Sequence, residues 1–405
     1  MGPRPLEGLK VLDFTWVIAG PLITKFLADH GAEVIKLEYA KRPDQMRFFI
    51  PYKDKTPGIN RSGVWAALNS SKRSLAVNLG EPKGQALAKQ LAAWADIAVE
   101  NFTAGQLQKW NLDYDSLRRV NEDLIMLSAS SFGQDGPDAT RKGFGFHFAA
   151  YAGFTDLTGW PDREPLGSIP YTDYIAPGFA VAAIMAALDY RQRTGKGQYI
   201  DLAQVETALH FLAPSLLEYL ALGRLGRRSG NRSPRMCPHN AFRCRDGGWC
   251  AIAVRGDTEW RNLCAAIGRP ALAFDPRFST LLARKRHEDE LERILATEMM
   301  RQESAAKLVE ALMDRGVPAA VVAGGRELVE DIQLKARDYW VSLPHPEIGT
   351  AVSHRAMARY SDANNRPWRS APLLGQDTAD IYKRILRLSD DEIATLIAEE
   401  VIALD

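Results

Sequence analysis

The sequence predicts an α/β protein: a Rossmann-like, parallel-sheet large domain joined to a smaller α+β domain. Three observations carry this. Short apolar runs alternate with helix-period segments from Leu9 to about residue 135. Composition shifts to Arg, Gly, Ser and Pro over Leu222–Pro238, as in a linker. Beyond it, Asp246-Gly247-Gly248 separates two strand-like runs as a hairpin would, and helical patterns follow.

In order, Leu9–Phe14 reads as a buried strand, Leu22–His30 as a helix stopped by Gly31, and Glu33–Leu37 as a second strand. Such a βαβ start favours parallel pairing with a right-handed crossover. Ser74–Asn78 is strand-like, Gly84–Trp94 helical, Ile97–Glu100 a strand, Ala104–Lys109 a short helix and Leu124–Ser128 a strand. Pro177 suits the first turn of an apolar helix reaching Arg193, where its missing N–H costs nothing. Thr194–Gly197 is a turn and Gln198–Leu202 a strand. In the second domain Ala241–Cys244 and Trp249–Val254 form the hairpin. Helices are expected over Thr258–Ile267, Glu288–Met299, Ala305–Arg315 and Gly324–Asp338, with a strand over Val317–Val322. After Asp338 the chain reads as loop-rich until a last helix, Asp390–Glu400, capped by Ser389. The expected domains are 1–225, with 331–405 returning to it, and 226–330.

Composition narrows the function. The chain has 405 residues, 46% hydrophobic and 25% charged, with 51 Lys+Arg against 50 Asp+Glu. That near-neutral balance gives no reason to expect a nucleic-acid partner. No uninterrupted apolar run reaches the roughly 20 residues of a membrane span, so no membrane partner is expected. The four Cys form no CxxC, which predicts reduced thiols in a cytoplasmic protein and no metal site. Thr194-Gly195-Lys196-Gly197 is no P-loop, because Tyr190 and Gly197 stand where Gly and Ser or Thr are needed. Gly143-Phe144-Gly145 does not continue as a dinucleotide fingerprint, and neither GxSxG nor HExxH occurs. A nicotinamide or flavin oxidoreductase is therefore disfavoured.

Three features remain for chemistry. Asp173, in Tyr171-Thr172-Asp173-Tyr174, sits just ahead of the expected helix. The helix dipole would favour its anion there, and it reads either as a cap or as a nucleophile toward an acyl centre. Lys72-Arg73, Lys109 and Arg141-Lys142 adjoin loops of the first domain and suit phosphate recognition or plain solvation. Asp246-Gly247-Gly248 reads as a hairpin turn, with a mobile glycine loop as the alternative.

The chain resembles the class III CoA-transferases, the CaiB/BaiF family. The resemblance rests on Pro5–Phe14, Ala19-Gly20-Pro21, Gly31–Glu38, Asn69–Ser74, Ala95-Asp96, Glu100-Asn101-Phe102, Gly133–Pro137, Arg193–Gln198, Gly316–Ala319 and Ala371–Gly375, in that order and spanning nearly the whole chain. It implies that Asp173 attacks an acyl-CoA thioester, passing through a mixed anhydride and an aspartyl-CoA thioester. By position it places CoA against Val17, Ile18, Ala19, Tyr39, Val77, Asn78, Leu79, Asn101, Phe102, Lys109 and Lys142. Lys109 stands where members often carry Arg, and Tyr39 replaces a base found in some. Ile18, Phe144 and Gly145 occupy positions that are polar in the oxalate-using branch. With the aromatic run Phe144, Phe146, Phe148, Tyr151 and Trp160 they predict an acceptor acid with an apolar or aromatic body, such as a substituted succinate or an aryl acid, the alternative being that these aromatics are core. His147 is placed in the same substrate pocket, and succinyl-CoA is a candidate donor. The resemblance further implies an interlocked homodimer, with a related second subunit in some cases, and CoA as substrate with no tightly bound cofactor. A racemase is the second reading, weakened because Phe144 replaces the His base of that branch. A non-catalytic CoA-binding protein is the third.

Overall fold

The structure is a computed structural model that describes residues 2–167 and 169–403. It contains two compact units: Met1–Phe154 with Gly167–Ala221 and Ile332–Asp405, and Thr155–Leu166 with Leu222–Asp331. Thr155–Leu166, which the sequence reading placed in the large domain, belongs to the second unit.

The first unit is built on six strands: β1 (Lys10–Asp13), β2 (Glu33–Glu38), β3 (Arg73–Ala76), β4 (Ile97–Glu100), β5 (Ile125–Ser130) and β6 (Tyr199–Ala203). They lie in the order β3-β2-β1-β4-β5-β6 and every pair is parallel. Both faces are covered, which is why the strands read as continuous apolar runs. Leu12, Leu75 and Met126 pack with Leu87 and Leu91 of the Pro82–Trp94 helix on one face. Val11, Val34, Val99 and Leu127 pack with helix α1 (Ala19–Asp29) and with the helix Tyr171–Thr194 on the other. The strand order reverses between β1 and β4. In open parallel sheets, ligands bind beyond the carboxyl ends of the strands at such a point.

The long helix begins at Tyr171, not near Pro177, so Pro177 lies inside it. Proline has no N–H to give the carbonyl four residues back; that carbonyl belongs to Asp173. This helix is long and apolar enough to cross a membrane by length and composition, contrary to the sequence reading. Its Ala176, Ala180, Ile184 and Ala187 are nonetheless buried in the unit's core, as in a core helix.

The region after Asp338 is more ordered than expected. β10 (Trp340–His345) and β11 (Gly349–His354) form an antiparallel hairpin, and Thr378–Arg384 is helical. Pro344 obscured the first strand, although proline is tolerated at a sheet edge. The Asp390–Ala398 helix starts at Ser389, whose hydroxyl accepts from the Glu392 amide. Residues 374–402 cover the outer edge of β3. The Asp377 amide donates to Ser74 O at 3.0 Å, the Ala76 amide to Thr378 Oγ1 at 2.9 Å and the Asn78 amide to Val401 O at 2.8 Å.

In the second unit, β7 (His239–Arg243), β8 (Trp249–Ala253) and β9 (Ala319–Val321) form an antiparallel sheet. It packs with the helices Asp257–Ala266, Glu288–Met299 and Ala305–Met313 around Trp260, Leu263, Leu291 and Leu308. The stretch expected as one helix, Gly324–Asp338, is two short ones, Gly325–Glu330 and Ile332–Ala336. The four cysteines are free and buried. Asp246-Gly247-Gly248 turns the β7–β8 hairpin: Gly247 has φ 85° and the Gly248 amide donates to Asp246 Oδ1 at 2.9 Å.

Candidate active site

The carboxyl ends of all six strands open onto one chamber of about 730 Å³. Val17, Ile18 and Ala19 enter it after β1, Tyr39 after β2 and Val77, Asn78 and Leu79 after β3. Asn101 and Phe102 enter after β4, Ser131 after β5 and Gln204 after β6. Its volume lies within the range of small-molecule sites. Lys142, Phe144, Gly145 and Asp173 complete it. The fold thus gathers into one space nearly every residue singled out in the sequence for CoA or for chemistry.

Asp173 lies in the first turn of the long helix, 8% exposed, and not ahead of that helix. Among the described residues no hydrogen-bond donor or charged partner acts on its carboxylate. Burial, with no compensating donor, pushes its pKa up to about 6. Desolvation thus opposes the stabilisation that the helix N-terminus offers the anion. The carboxylate abuts Gly145. A Cβ built there would stand 2.4 Å from Asp173 Oδ2, so only glycine fits. Thr172 Oγ1 donates to Gly145 O at 3.2 Å and ties the two segments together.

Phe144 is half-exposed and lines the chamber beside Ile18 and Phe148. His147 does not. Its Nδ1 accepts from the Phe144 amide at 3.1 Å, and its ring lies tilted against Phe146, with ring centres 4.0 Å apart. The sequence proximity that made it a pocket candidate is the i, i+3 spacing of a helix cap.

The phosphate candidates sort differently from expectation. Lys142 lines the chamber, and so does Arg141, held 3.4 Å from Asp138. Lys109 does not, because its short helix Gln106–Lys109 turns Gln106 inward instead. Lys72 is fully buried beneath the chamber, donating to Asp13, Pro21 and Asn69, and Arg73 pairs with Glu33, Asp377 and Asp380. Burial drives the Lys72 pKa down to about 8, against the pull of Asp13.

Sequence reasoning missed Arg42, Trp16 and Trp110. Arg42 lines the chamber with its guanidinium 5.8 Å from the Trp16 ring centre. Phe102 packs edge-on against Trp16 and Trp110, at 5.7 and 5.5 Å. Arg42, three residues beyond Tyr39, brings a guanidinium to this part of the chamber. Tyr39 itself donates to Glu400 O at 3.3 Å.

The wall after β1 is held stiffly. Asn101 Oδ1 accepts from the Trp16 amide at 2.8 Å and its Nδ2 donates to Trp16 O at 2.9 Å. Glu100 accepts from the Phe102 amide at 2.7 Å, and burial pushes its pKa up to about 7.

A sequence profile of CoA-transferase family III matches residues 6–378. The chain belongs to CoA-transferase family III. It is 35% identical to the succinyl-CoA–D-citramalate CoA-transferase of Chloroflexus aurantiacus over 402 residues, 99% of this chain and 98% of that one. It is 35% identical to the succinate–glutarate CoA-transferase of Agrobacterium fabrum, over 94% and 96% of the two chains. The crystal structure of a CaiB/BaiF family protein from Brucella suis superposes with a TM-score of 0.87 at 33% identity, covering 95% of this chain and all of that one. This family III chain is accordingly an enzyme of the CoA-transferase type, whose substrates are CoA thioesters.

Proposed function

We propose that the enzyme moves CoA from an acyl-CoA donor, with succinyl-CoA the first candidate, to a carboxylic acid acceptor, and that Asp173 carries the acyl group. The observation behind this is the Asp173 carboxylate: buried, without a hydrogen-bond donor among the described residues and pressed against Gly145 in a chamber large enough for a thioester. A desolvated carboxylate without partners is a stronger nucleophile than a solvated one.

The sequence of bonds balances. An Asp173 oxygen attacks the thioester carbonyl, the C–S bond breaks and CoA leaves as thiolate, giving a mixed anhydride. The thiolate attacks the Asp173 carbonyl of that anhydride, releasing the donor carboxylate and leaving an aspartyl-CoA thioester. The acceptor carboxylate attacks this thioester and expels the thiolate again. The thiolate then takes the acceptor's acyl carbon and restores the Asp173 carboxylate.

In this reading CoA lies along Val17–Ala19, Val77–Leu79, Asn101 and Phe102. Its phosphates face Arg42 and Lys142, and its adenine has Tyr39 and the Trp16–Phe102 pair for stacking. Ile18, Phe144 and Phe148 suit an acceptor with an apolar or aromatic body, since an apolar wall leaves a small dianion poorly paired. A small dicarboxylate is the second reading. The relatives named above act on such acids, and Arg141 and Lys142 adjoin Phe144. Racemase chemistry needs a base on each face of the α-carbon, and His147 is spent on the Phe144 amide.

The assembly in this reading is an interlocked homodimer. The helix Gln204–Leu222 exposes Phe211, Leu217 and Leu220 in the single chain, an apolar face of the kind partners cover. The free, buried thiols suit a cytoplasmic setting.

A covalent trap tests the chemistry. The enzyme is incubated with succinyl-CoA, quenched with hydroxylamine or borohydride, digested and mapped by mass spectrometry. Modification at Asp173 is expected. Turnover by wild-type enzyme without modification there, or substantial turnover by Asp173→Ala, refutes it.

A further inference from the structure

Beside the chamber, which Glu38 itself lines, lies a buried set of charges: Asp13, Glu38 and Asp44 against Lys36, Arg47 and Lys72, none more than 3% exposed. Three of these residues, Asp13, Lys36 and Asp44, bond directly to one short loop, Thr15–Ile18, between β1 and α1. Thr15 gives its amide and hydroxyl to Asp13 Oδ1, at 2.8 and 2.6 Å, and its carbonyl accepts from Lys36 Nζ. Trp16 is held on both sides by Asn101. The Val17 amide points into the Asp44 carboxylate, 3.1 and 3.2 Å from its two oxygens.

Val17 is the anomaly. Its φ is 69°, in the left-handed region that a β-branched residue strongly avoids. Strain of this kind persists only where the surroundings over-determine it. Asp44 supplies that constraint. It is fully buried and paired with Lys36 at 3.3 Å. Its Oδ1, which faces the Val17 amide, also accepts from the Met46 amide at 3.0 Å, which further fixes the carboxylate. Glu38, clamped by Arg47 at 2.8 and 2.6 Å, takes the Asp44 amide at 3.3 Å. The reversal at Val17 lets Ile18 and Ala19 enter the chamber as α1 begins. Asp44 itself touches no part of the chamber.

We propose that Asp44 is a positioning residue for CoA binding. Its buried carboxylate, balanced by Lys36, holds Val17 left-handed and so fixes the Val17–Ala19 wall. This rests on the reading of the chamber as the CoA site.

The test is a rescue cycle on full-length enzyme, with CoA affinity read by calorimetric titration and stability by thermal unfolding. Asp44→Ala should weaken CoA at least about tenfold. Adding Val17→Gly should recover at least about fivefold of that loss, because glycine takes positive φ without an anchor. The melting temperature should not recover, since glycine also frees the unfolded chain. A purely structural Asp44 would show the opposite: no gain in CoA affinity from the glycine. If Asp44→Ala fails to fold with Lys36 unpaired, Lys36→Met is added to both arms, which removes the lone buried charge. A double variant that binds CoA no better than its single parent overturns the proposal, as does an Asp44→Ala enzyme with wild-type affinity. Wild-type enzyme that binds no CoA overturns the chamber reading as well. Lost turnover with CoA binding intact in the wild type counts against the Asp173 chemistry alone.

Discussion

Replacing Asp173 by Asn should abolish transfer and make the protein more stable, by an amount that depends on pH. Burial raises the Asp173 pKa from 3.8 to about 6. At about 1.36 kcal/mol per unit, roughly two units correspond to about 3 kcal/mol. The sign follows from linkage. Between the unfolded and folded pKa values the folded state holds a proton that the unfolded state has lost. Stability therefore falls as pH rises from about 4 to about 6, and the full penalty of a buried anion is present above pH 6. Asn carries no charge and escapes it. Urea unfolding of Asp173→Asn against wild type should show a gain of about 2–3 kcal/mol at pH 7.5 that shrinks toward zero near pH 4. The kcat/KM of the wild type should fall as pH drops through about 6, where the nucleophile takes up its proton. A stability difference that is flat with pH, or an Asn variant weaker than wild type at pH 7.5, would refute the view that desolvation alone sets this carboxyl.

Gly145→Ala places a methyl 2.4 Å from Asp173 Oδ2, so the carboxylate must move. Steady-state kinetics should show kcat reduced by about 100-fold or more, the scale set by an ångström-level misplacement, with CoA affinity less affected. Arg42→Ala and Lys142→Ala should weaken CoA more than dephospho-CoA in equilibrium titrations. Lys109→Ala should treat the two ligands alike, and a larger loss at Lys109 than at Arg42 would reverse the assignment.

Much of both units was legible because their signals are local. The strand Ile97–Glu100 of the first unit and the helix Glu288–Met299 of the second fall where their patterns place them, and Ser389 caps as its residue type predicts. What escaped depends on distance in sequence. The start of the long helix was misplaced because Pro177 looks like a first-turn residue, whereas packing in the core carries the helix back to Tyr171. Lys72 read as a loop cation free for phosphate, yet its partner Asp13 lies 59 positions away. Arg42 went unmarked because its use depends on where β2 ends relative to Trp16. His147 shows the reverse error: a chemically able side chain near the site is committed to its own helix.

The cover over β3 sets a timetable for synthesis. Ala76 waits for Thr378, 302 positions later, and Asn78 waits longer still for Val401. At about 5–20 residues per second on the ribosome, β3 emerges at least about 15 seconds before its cover. During that interval it is an exposed sheet edge, open to chaperones and to the same strand of a neighbouring nascent chain. Val77, Asn78 and Leu79 continue directly from this strand into the chamber. The Val77–Leu79 wall of the chamber is therefore secured only after residues 378–401 have been made.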